Sequence, residues 1–168
     1  MRNRLIFQGV STLAFFLLPG FWNVPSLLAA EAASDNPGTL YERLGRSEGI
    51  RLVVEDFVAH GLADPAVNFT RQGTSRSWVP TPVHIDRLIR HLVQFISAAA
   101  GGPGTYEGRE MKAVHAGMRI APAEFDALLR DLEASLVKFS VQAREQKELL
   151  ALIETTRAEI VEPKQQAS

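Results

Sequence analysis

The sequence contains no cysteine, and this absence removes several classes of protein at once. Without thiols the chain forms no disulfide, holds no metal through thiolates and carries no lipid on a processed cysteine. A Cys-x-x-Cys-His site for covalent attachment of a cofactor is missing for the same reason. Any cofactor is therefore expected to be held by coordination and packing alone.

An excess of charge of one sign is lacking too, since 18 basic and 19 acidic residues give a formal net charge of −1 at pH 7. Proteins that bind nucleic acid usually carry a basic excess, so we expect no nucleic-acid partner. The sequence also has no His-Glu-x-x-His, no Gly-x-Ser-x-Gly and no phosphate-binding loop, which argues against a zinc peptidase, a serine hydrolase and a nucleotide-binding enzyme. No residue is assigned a catalytic role.

The first 32 residues have the layout of a secretory signal peptide. Arg2 and Arg4 precede a charge-free run that ends at Glu31, and Ala30 and Ala32 are the small residues that a signal peptidase reads. The alternative is an uncleaved membrane anchor, because the run is long enough to cross a bilayer. Helix breakers after the apolar stretch favour cleavage, so we expect a periplasmic or secreted mature domain that is not embedded in the membrane.

Helical periodicity runs through the rest of the chain and no useful segment alternates with a period of two, so we predict an all-α domain over residues 39–162. A linker is expected at 33–38 and a disordered tail at 163–168. The expected helices are a very short one that stops at Gly45, a short one around His115, and longer ones over about 47–63, 82–100, 122–139 and 143–161. Their N-caps include Thr39, Ser47 and Thr81.

The short helix carries a single histidine, His115, just after a glycine-rich corner. Met111, Val114, His115 and Met118 are spaced i, i+3, i+4 and i+7, so they are expected to share one side of that helix. A histidine in such a setting is more often a buried residue with a hydrogen-bonded neighbour than a metal ligand. The spacing alone leaves both interpretations open.

The surrounding pattern favours the ligand. Gly-Gly-Pro at 101–103, Tyr-x-Gly-Arg at 106–109 and Met-Lys-x-x-His at 111–115 lie between one long amphipathic segment and two more. This order resembles the group I truncated haemoglobins over about residues 39–161. The resemblance implies a two-over-two helical sandwich, haem b (iron protoporphyrin IX) as cofactor, and His115 as the proximal iron ligand. A backbone carbonyl one turn earlier is the expected acceptor for the other ring nitrogen.

The resemblance also implies which residues surround the haem. Three polar side chains, Tyr106, Arg109 and Lys112, are expected near the propionates. The full set of expected haem contacts is Phe57, Val58, Phe69, Leu88, Leu92, Tyr106, Arg109, Met111, Lys112 and Met118. The polar stretch from Thr70 to Pro80 is interpreted as a solvated loop, and the alternative is that one of its arginines pairs with a propionate.

The distal side departs from the family. Many group I members have a tyrosine after the phenylalanine of the second helix and a glutamine on the distal helix, whereas this chain has Val58, Leu88 and Leu92. Because a hydrogen bond to the bound gas is then lost, stable storage of oxygen is not expected. His91 matches a histidine that ligates iron in some cyanobacterial members, and its alternative is an exposed residue at the rim. His60 and His84 are expected to be solvated.

Three functions are compatible with the sequence. The first is an exported haem protein that binds O2, NO or CO at an iron held by His115. The second is a bis-histidyl protein, with His91 and His115 both on the iron, that exchanges electrons with a donor or turns over NO, nitrite or peroxide. The third is a helical interaction module without haem. Whether the protein is an enzyme stays open.

Overall fold

The structure is a computed structural model that describes residues 38–162, and helices provide its regular structure. They are α1 (Leu40–Arg43), α2 (Arg46–Ala63), α3 (Pro82–Ala99), α4 (Met111–His115), α5 (Pro122–Lys138), α6 (Ala143–Glu154) and α7 (Arg157–Ile160). These residues contain no β-strand, only an isolated bridge between Ile120 and Val161. The prediction of an all-α domain is confirmed. The predicted signal peptide (1–32), linker residues 33–37 and the tail (163–168) lie outside the described residues.

The start of the domain follows its local sequence closely. The Thr39 hydroxyl accepts a hydrogen bond from the backbone N–H of Glu42 at 3.2 Å, and the Glu42 carboxylate accepts one from the N–H of Thr39 at 3.0 Å. This capping box begins α1 as predicted. Gly45 then takes a left-handed conformation, with φ of 81°, and is itself the N-cap of α2. The prediction of Ser47 as N-cap was wrong: Ser47 lies inside α2 and its hydroxyl is 2.9 Å from that of Tyr41.

The hydrophobic core is built around α2. This helix packs against α3 on one side and α5 on another, α5 packs against α6, and α1 contacts α2 and α6. The buried apolar side chains of this core are Leu44, Ile50, Val53, Val54, Phe57, Val58, Ile96, Ala100, Leu132, Leu136 and Leu149. Because four helices contribute to one cluster, the domain has a core that holds α2, α3, α5 and α6 together.

Helix α3 begins at the predicted cap but buries little of its apolar stripe. The Thr81 hydroxyl accepts from the N–H of His84 at 3.3 Å, and Pro82 occupies the first turn. Only two residues, Ile96 and Ser97, are buried, both near its C-terminal end. The other apolar residues of the stripe are partly exposed, and they are Ile85, Leu88, Ile89, Leu92 and Val93.

The C-terminal part differs from prediction in one respect. Helix α5 begins at Pro122 as expected, but the predicted helix over 143–161 is two helices, α6 and α7. The break has a local cause, because the Thr155 and Thr156 hydroxyls donate to the carbonyls of Leu152 and Ile153, each at 2.7 Å. Such side-chain bonds compete with the helical backbone. Across residues 38–162, none of the helices combines the length and apolarity needed to cross a bilayer.

Candidate functional site

His115 is the last residue of α4, a helix of only five residues. Its Nδ1 lies 2.9 Å from the carbonyl oxygen of Met111, one turn earlier. A carbonyl oxygen can only accept, so Nδ1 carries the hydrogen and donates it, and Nε2 keeps its lone pair. The predicted hydrogen bond to a carbonyl one turn earlier is confirmed. The ring is therefore oriented with the lone pair of Nε2 available to a metal or to a hydrogen-bond donor.

Burial also keeps this imidazole neutral. Partial removal of the ring from water lowers the pKa of His115 below its ordinary value, and the hydrogen bond to Met111 offsets only part of that effect. Because only the neutral ring can donate a lone pair to a metal, both the tautomer and the protonation state suit a metal ligand.

The neighbours of His115 on α4 are partly as expected. Met111 and Val114 are half-buried like the histidine, on the same short helix. The prediction that Met118 lies on this helix was wrong, because the backbone of Ala116 turns to φ of −55° and ψ of 126° and ends it. Met118 instead lies in the following turn, where its N–H donates to the carbonyl of His115 at 3.0 Å. It is half-buried there.

The apolar residues predicted around the cofactor fall into two groups. Phe57 and Val58 are enclosed in the core, with 6% and 1% of their surface exposed. Phe69, Leu88 and Leu92 are half-buried and pack against that same core. The cluster thus brings all five together, whereas Met111, His115 and Met118 lie outside it. The half-buried residues are the part of this core that an apolar ligand can contact.

The polar residues predicted near the propionates lie in and after the glycine-rich corner. The Tyr106 ring meets that of Phe95 on α3 edge to face, with centroids 5.7 Å apart. A side chain at position 108 would come within 2.1 Å of the Tyr106 ring, which explains why Gly108 has none. Arg109 and Lys112 are exposed, so their charges are accessible to an anionic group.

The remaining histidines are distributed over the surface and the α2–α5 contact. His91 and His84 are exposed on α3. His60 is partly solvated, with 42% of its side-chain surface exposed, and its Nδ1 lies 3.1 Å from the Ser135 hydroxyl and 3.5 Å from the Asp56 carboxylate. These two partners belong to α5 and α2 respectively. Among residues 38–162, no three histidine or acidic residues are grouped as a metal site.

The loop between α2 and α3 was interpreted as solvated, and for Arg71 that was wrong. Its side chain is 5% exposed and donates to the carboxylate of Glu124 and to backbone carbonyls, including that of Met118 at 2.9 Å. Arg76 Nε donates to the carbonyl of Ala116 at 2.9 Å. Trp78 Nε1 donates to the carbonyl of Phe69 at 3.0 Å and closes the loop on itself. The two arginines hold the segment after His115.

The sequence did not predict these contacts because no sequence pattern indicates them. An arginine in a polar loop has no periodicity that predicts its burial, and its partners lie 40 to 53 positions further along the chain. The same is true of Glu162, whose carboxylate accepts from the N–H of Arg119 at 3.1 Å. Only the folded chain brings the three segments together.

Three features of the described residues suit a bulky apolar group that contains a metal ion. The stripe of α3 and the residues of α4 offer large apolar side chains that the protein itself covers only in part, which is typical of a ligand-binding surface. A neutral imidazole with a fixed tautomer supplies a metal donor. Exposed cationic side chains at positions 109 and 112 suit acidic substituents on such a group.

Comparison with known proteins agrees with this geometry. Residues 39–162 match the family model described as bacterial-like globin. A group 1 truncated hemoglobin of Mycolicibacterium paratuberculosis is 32% identical over 124 residues, which span 74% of this chain and 85% of that protein. A group 1 truncated hemoglobin of Tetrahymena pyriformis is 28% identical over 127 residues, or 76% of this chain and 98% of that protein.

Solved structures are similar over the same region. The truncated hemoglobin of Tetrahymena pyriformis in its Fe(III) form superimposes with a TM-score of 0.64 at 28% identity, covering 75% of this chain and all of that one. The 2/2 hemoglobin of Synechococcus, crystallised in the cyanomet state with covalently attached heme, gives a TM-score of 0.63 at 25% identity and covers 74% of this chain and 98% of that one. The predicted two-over-two helical arrangement is thereby confirmed.

Proposed function

This chain belongs to the bacterial-like globin family, as a truncated haemoglobin of group 1; from this membership we propose that it binds haem b and takes up a diatomic gas at the iron, with His115 as the proximal ligand. Globins of this family bind haem and diatomic gases. Haem iron, when bound, supplies a coordination position at which O2, NO or CO binds reversibly. The rest of the proposal concerns what this chain's own residues do.

The observation that carries the proposal is the state of the His115 ring. Its Nδ1 donates to the carbonyl of Met111 at 2.9 Å, so Nε2 is unprotonated, and burial lowers the pKa of the ring. A hydrogen bond of this kind fixes the orientation of a ligating histidine and increases its basicity. These properties suit a proximal ligand. Among residues 38–162, the other histidine bonded to a backbone carbonyl is His84, and it is exposed.

The apolar surface of the porphyrin would contact the half-buried stripe of α3. Leu88 and Leu92 of α3 and Phe69 of the preceding loop are accessible in part, and Met111 and Val114 lie on the histidine side. Burying such side chains against an apolar ligand contributes about 25 cal/mol per Å2 of surface removed from water. Tyr106, Arg109 and Lys112 would bind the propionates through their hydroxyl and cationic groups.

The character of the distal residues favours transient gas binding over storage. Val58, Leu88 and Leu92 carry no hydrogen-bond donor in their side chains. A Val58→Tyr substitution would add a hydroxyl, and oxygen release should slow by roughly ten- to a hundredfold if that group reaches the ligand. Val58→Phe is the matched control, because it adds the same ring without the hydroxyl. An equal off-rate in both variants would show that another group already governs the bound gas.

The bis-histidyl alternative depends on His91. That residue is exposed on α3, next to the half-buried Leu92. An exposed side chain must turn inward before it can bind iron, so we place open gas binding first and the redox role, with its electron donor, second. A helical module without haem is the third possibility, and His115 with its bonded ring is the feature that argues against it.

The experiment that tests the proposal is visible spectroscopy of the domain purified with haem available. We expect a Soret band in the wild type, its loss or strong change in His115→Ala, and little change in His91→Ala. His84→Ala is the matched control, because His84 is likewise exposed on α3. A wild type without a Soret band would contradict the haem function. Low-spin ferrous bands that vanish in His91→Ala would replace it by the bis-histidyl function.

The type of haem is tested by extraction. The chain has no cysteine for thioether bonds, whereas the Synechococcus hemoglobin carries covalently attached heme. Acidified acetone should therefore remove all haem from this protein and leave a colourless polypeptide. Colour that stays with the polypeptide would show a covalent bond to another side chain.

Export is proposed on the N-terminal residues alone. Arg2, Arg4 and the apolar run before Glu31 have the order of a signal peptide, with small residues at the expected cleavage site. Mass spectrometry of the full chain after expression in a bacterium should give a mature form beginning near position 33 in the periplasm or medium. An intact chain in the membrane fraction would indicate an anchor instead.

A further inference from the structure

Residues 116–120, which we name the proximal turn, come directly after His115 and belong to no helix or strand. Gly117 and Arg119 take positive φ values of 78° and 53°, and such a conformation is rare for arginine. A segment of this kind keeps its shape only where its backbone groups have partners. Here the partners are side chains that lie far away in the sequence.

Two arginines of the α2–α3 loop bind the carbonyls of the proximal turn. Arg71 Nε donates to the carbonyl of Met118 at 2.9 Å, and its Nη2 donates to that of Arg119 at 3.2 Å. Arg76 Nε donates to the carbonyl of Ala116 at 2.9 Å. The proximal turn is thereby tied to a loop that precedes it by about forty positions.

Glu162 binds the same turn through its amides. Its carboxylate accepts from the N–H of Gly117 and, at 3.1 Å, from the N–H of Arg119. Its own N–H donates to the carbonyl of Ile120 at 3.0 Å. One residue therefore satisfies three backbone groups of the turn, and its carboxylate serves the amides while the arginines serve the carbonyls.

Arg71 is built into the protein as a rigid connector. With 5% of its surface exposed, it places Nη1 and Nη2 at 3.0 and 3.3 Å from the two carboxylate oxygens of Glu124, and Nη1 at 3.2 Å from the carbonyl of Val67. The planar guanidinium makes these bonds together with those to the proximal turn. Lysine has no such fork and would satisfy only part of the set.

The position of His115 depends on this turn because its own helix is too short to fix it. Helix α4 has five residues, none of which is buried, and it ends at His115. Isolated helices of this length are unstable, and α4 packs mainly against the four-residue helix α7, which adds little support. The backbone on the C-terminal side of the histidine, together with α7, therefore holds it in place.

We propose that Arg71 and Glu162 are positioning residues that clamp the proximal turn and thereby set the orientation of the His115 ring towards the iron. The consequence at the iron rests on the proposed function, whereas the clamp itself concerns only contacts within the polypeptide. Changes in the α2–α3 loop are then transmitted to the iron ligand through Arg71.

The clamp is tested first by amide hydrogen exchange on the full chain as purified, since this measurement does not require haem. In Arg71→Met and Glu162→Ala, peptides covering residues 111–120 should exchange at least about tenfold faster than in the wild type. Arg43→Met is the matched control, because Arg43 is a half-buried arginine that also pairs with a carboxylate, at 2.8 Å from Glu145, and its hydrogen bonds go to Glu145, Glu148 and Gly38 and not to the turn. Equal exchange in all variants, or an equal increase in the control, would overturn the clamp.

The consequence at the iron is read from the Fe–His stretching band in the resonance Raman spectrum of the ferrous protein. Arg71→Met should shift or broaden this band and speed haem transfer to apomyoglobin about tenfold, whereas Arg43→Met should lower thermal stability without moving the band. Arg71→Lys should not restore the wild-type band, because it lacks the fork. An unchanged band in Arg71→Met would reject the positioning role.

The clamp and the haem function fail in different ways. A wild type that takes up no haem would contradict the proposed function and leave the hydrogen-exchange result to decide the clamp. A wild type that binds haem, with normal exchange and an unmoved band in the variants, would reject the clamp and leave the function intact. If Arg71→Met does not fold, Glu162→Ala carries both measurements, because Glu162 is only half-buried and lies at the edge of the described domain.

Discussion

Helices α2 and α3 are equally long, with 18 residues each, but they bury very different surfaces. Helix α2 buries six residues along its length, and they are Ile50, Val53, Val54, Phe57, Val58 and Gly61. Helix α3 buries only Ile96 and Ser97, although its apolar stripe is just as continuous. The two helices pack against each other, but α2 is also covered by α5, whereas α3 has no second long helix among its main contacts.

The difference indicates that the two stripes serve different partners. The stripe of α2 is covered by other helices and contributes directly to the stability of the polypeptide. The stripe of α3 is covered only in part, and a half-exposed row of large apolar side chains is typical of a surface that binds a ligand. The comparison therefore indicates that most of the α2 stripe holds the fold, whereas the α3 stripe is available to haem.

The largest effect is expected between Leu136 of α5, which belongs to the core that covers the stripe of α2, and Leu88 of α3. Leu136 is fully buried against α2, so Leu136→Ala should lower the free energy of unfolding by about 2–5 kcal/mol. Leu88 is half-buried on α3, so Leu88→Ala should cost about 1 kcal/mol or less before haem is added. Urea unfolding of both variants measures the two values.

The same pair should reverse its order in haem retention. Leu88→Ala should speed haem transfer to apomyoglobin, while Leu136→Ala should affect transfer only as far as it unfolds the protein. Equal costs of unfolding in the two variants would break the distinction between the covered core around α2 and the stripe of α3.

The second effect concerns how α2 begins. Gly45 has φ of 81°, and a Cβ there would lie 3.3 Å from the Cα of Gly49. The left-handed conformation by itself should make Gly45→Ala destabilise the domain by about 1–2 kcal/mol, before any cost of the close contact is added. Thermal unfolding measures this change. Gly73→Ala is a useful control, since Gly73 has a similar φ of 79° but nothing near its Cβ position, and it should show the conformational part without the close contact.

A smaller effect is expected at the start of α3. The Thr81 hydroxyl caps this helix by accepting from the N–H of His84 at 3.3 Å. Thr81→Ala should lower the free energy of unfolding by about 1 kcal/mol. Thr81→Ser keeps a hydroxyl and should retain most of the stabilisation that the cap provides. Because α3 buries little of itself, the loss should also appear as faster amide exchange in its first turn. Protection that is unchanged would show that packing, and not the cap, holds that end.

The smallest effect is a pH dependence that arises on the haem side of the molecule. Burial lowers the pKa of His115 in the folded protein, whereas the unfolded chain keeps the ordinary value of about 6.5. The unfolded state therefore binds the proton more readily, and the contribution of His115 to stability is present above about pH 6.5 and declines as the pH falls below it. Since the ring is only partly buried, the slope should be shallow. It should disappear in His115→Ala when urea midpoints are compared between pH 5 and pH 7.5.

Much of the fold could be predicted because its signals are local. Thr39, Thr81 and Pro122 begin helices at the positions where the sequence has capping and first-turn residues. The hydrogen bond from His115 to Met111 was predictable as well, because a helix places the carbonyl of residue i−4 beneath the ring. The N-cap of α2 is Gly45 and not the predicted Ser47, because Gly45 takes a left-handed conformation. The residue types around the helix start did not predict that conformation.

The errors are equally informative about range. Met118 continued the apolar spacing of α4, yet the helix ends at His115 because Arg71, Arg76 and Glu162 hold the following backbone in another conformation. The burial of Arg71 had no signal in the sequence, since a loop arginine looks the same whether it meets water or a carboxylate. Periodicity describes a single element and does not include the partners that other segments provide.

The sequence by itself determined the all-α class, most helix starts, the family resemblance and the hydrogen bond of His115 to Met111, because these depend on residue types, spacing and contacts within about one turn. The tertiary structure decided which apolar stripe is covered by protein, which loop arginine is buried, and how the turn after His115 is held. Those features require segments tens of positions apart to meet, and the conformational entropy lost in bringing them together is offset only by contacts that the whole fold provides.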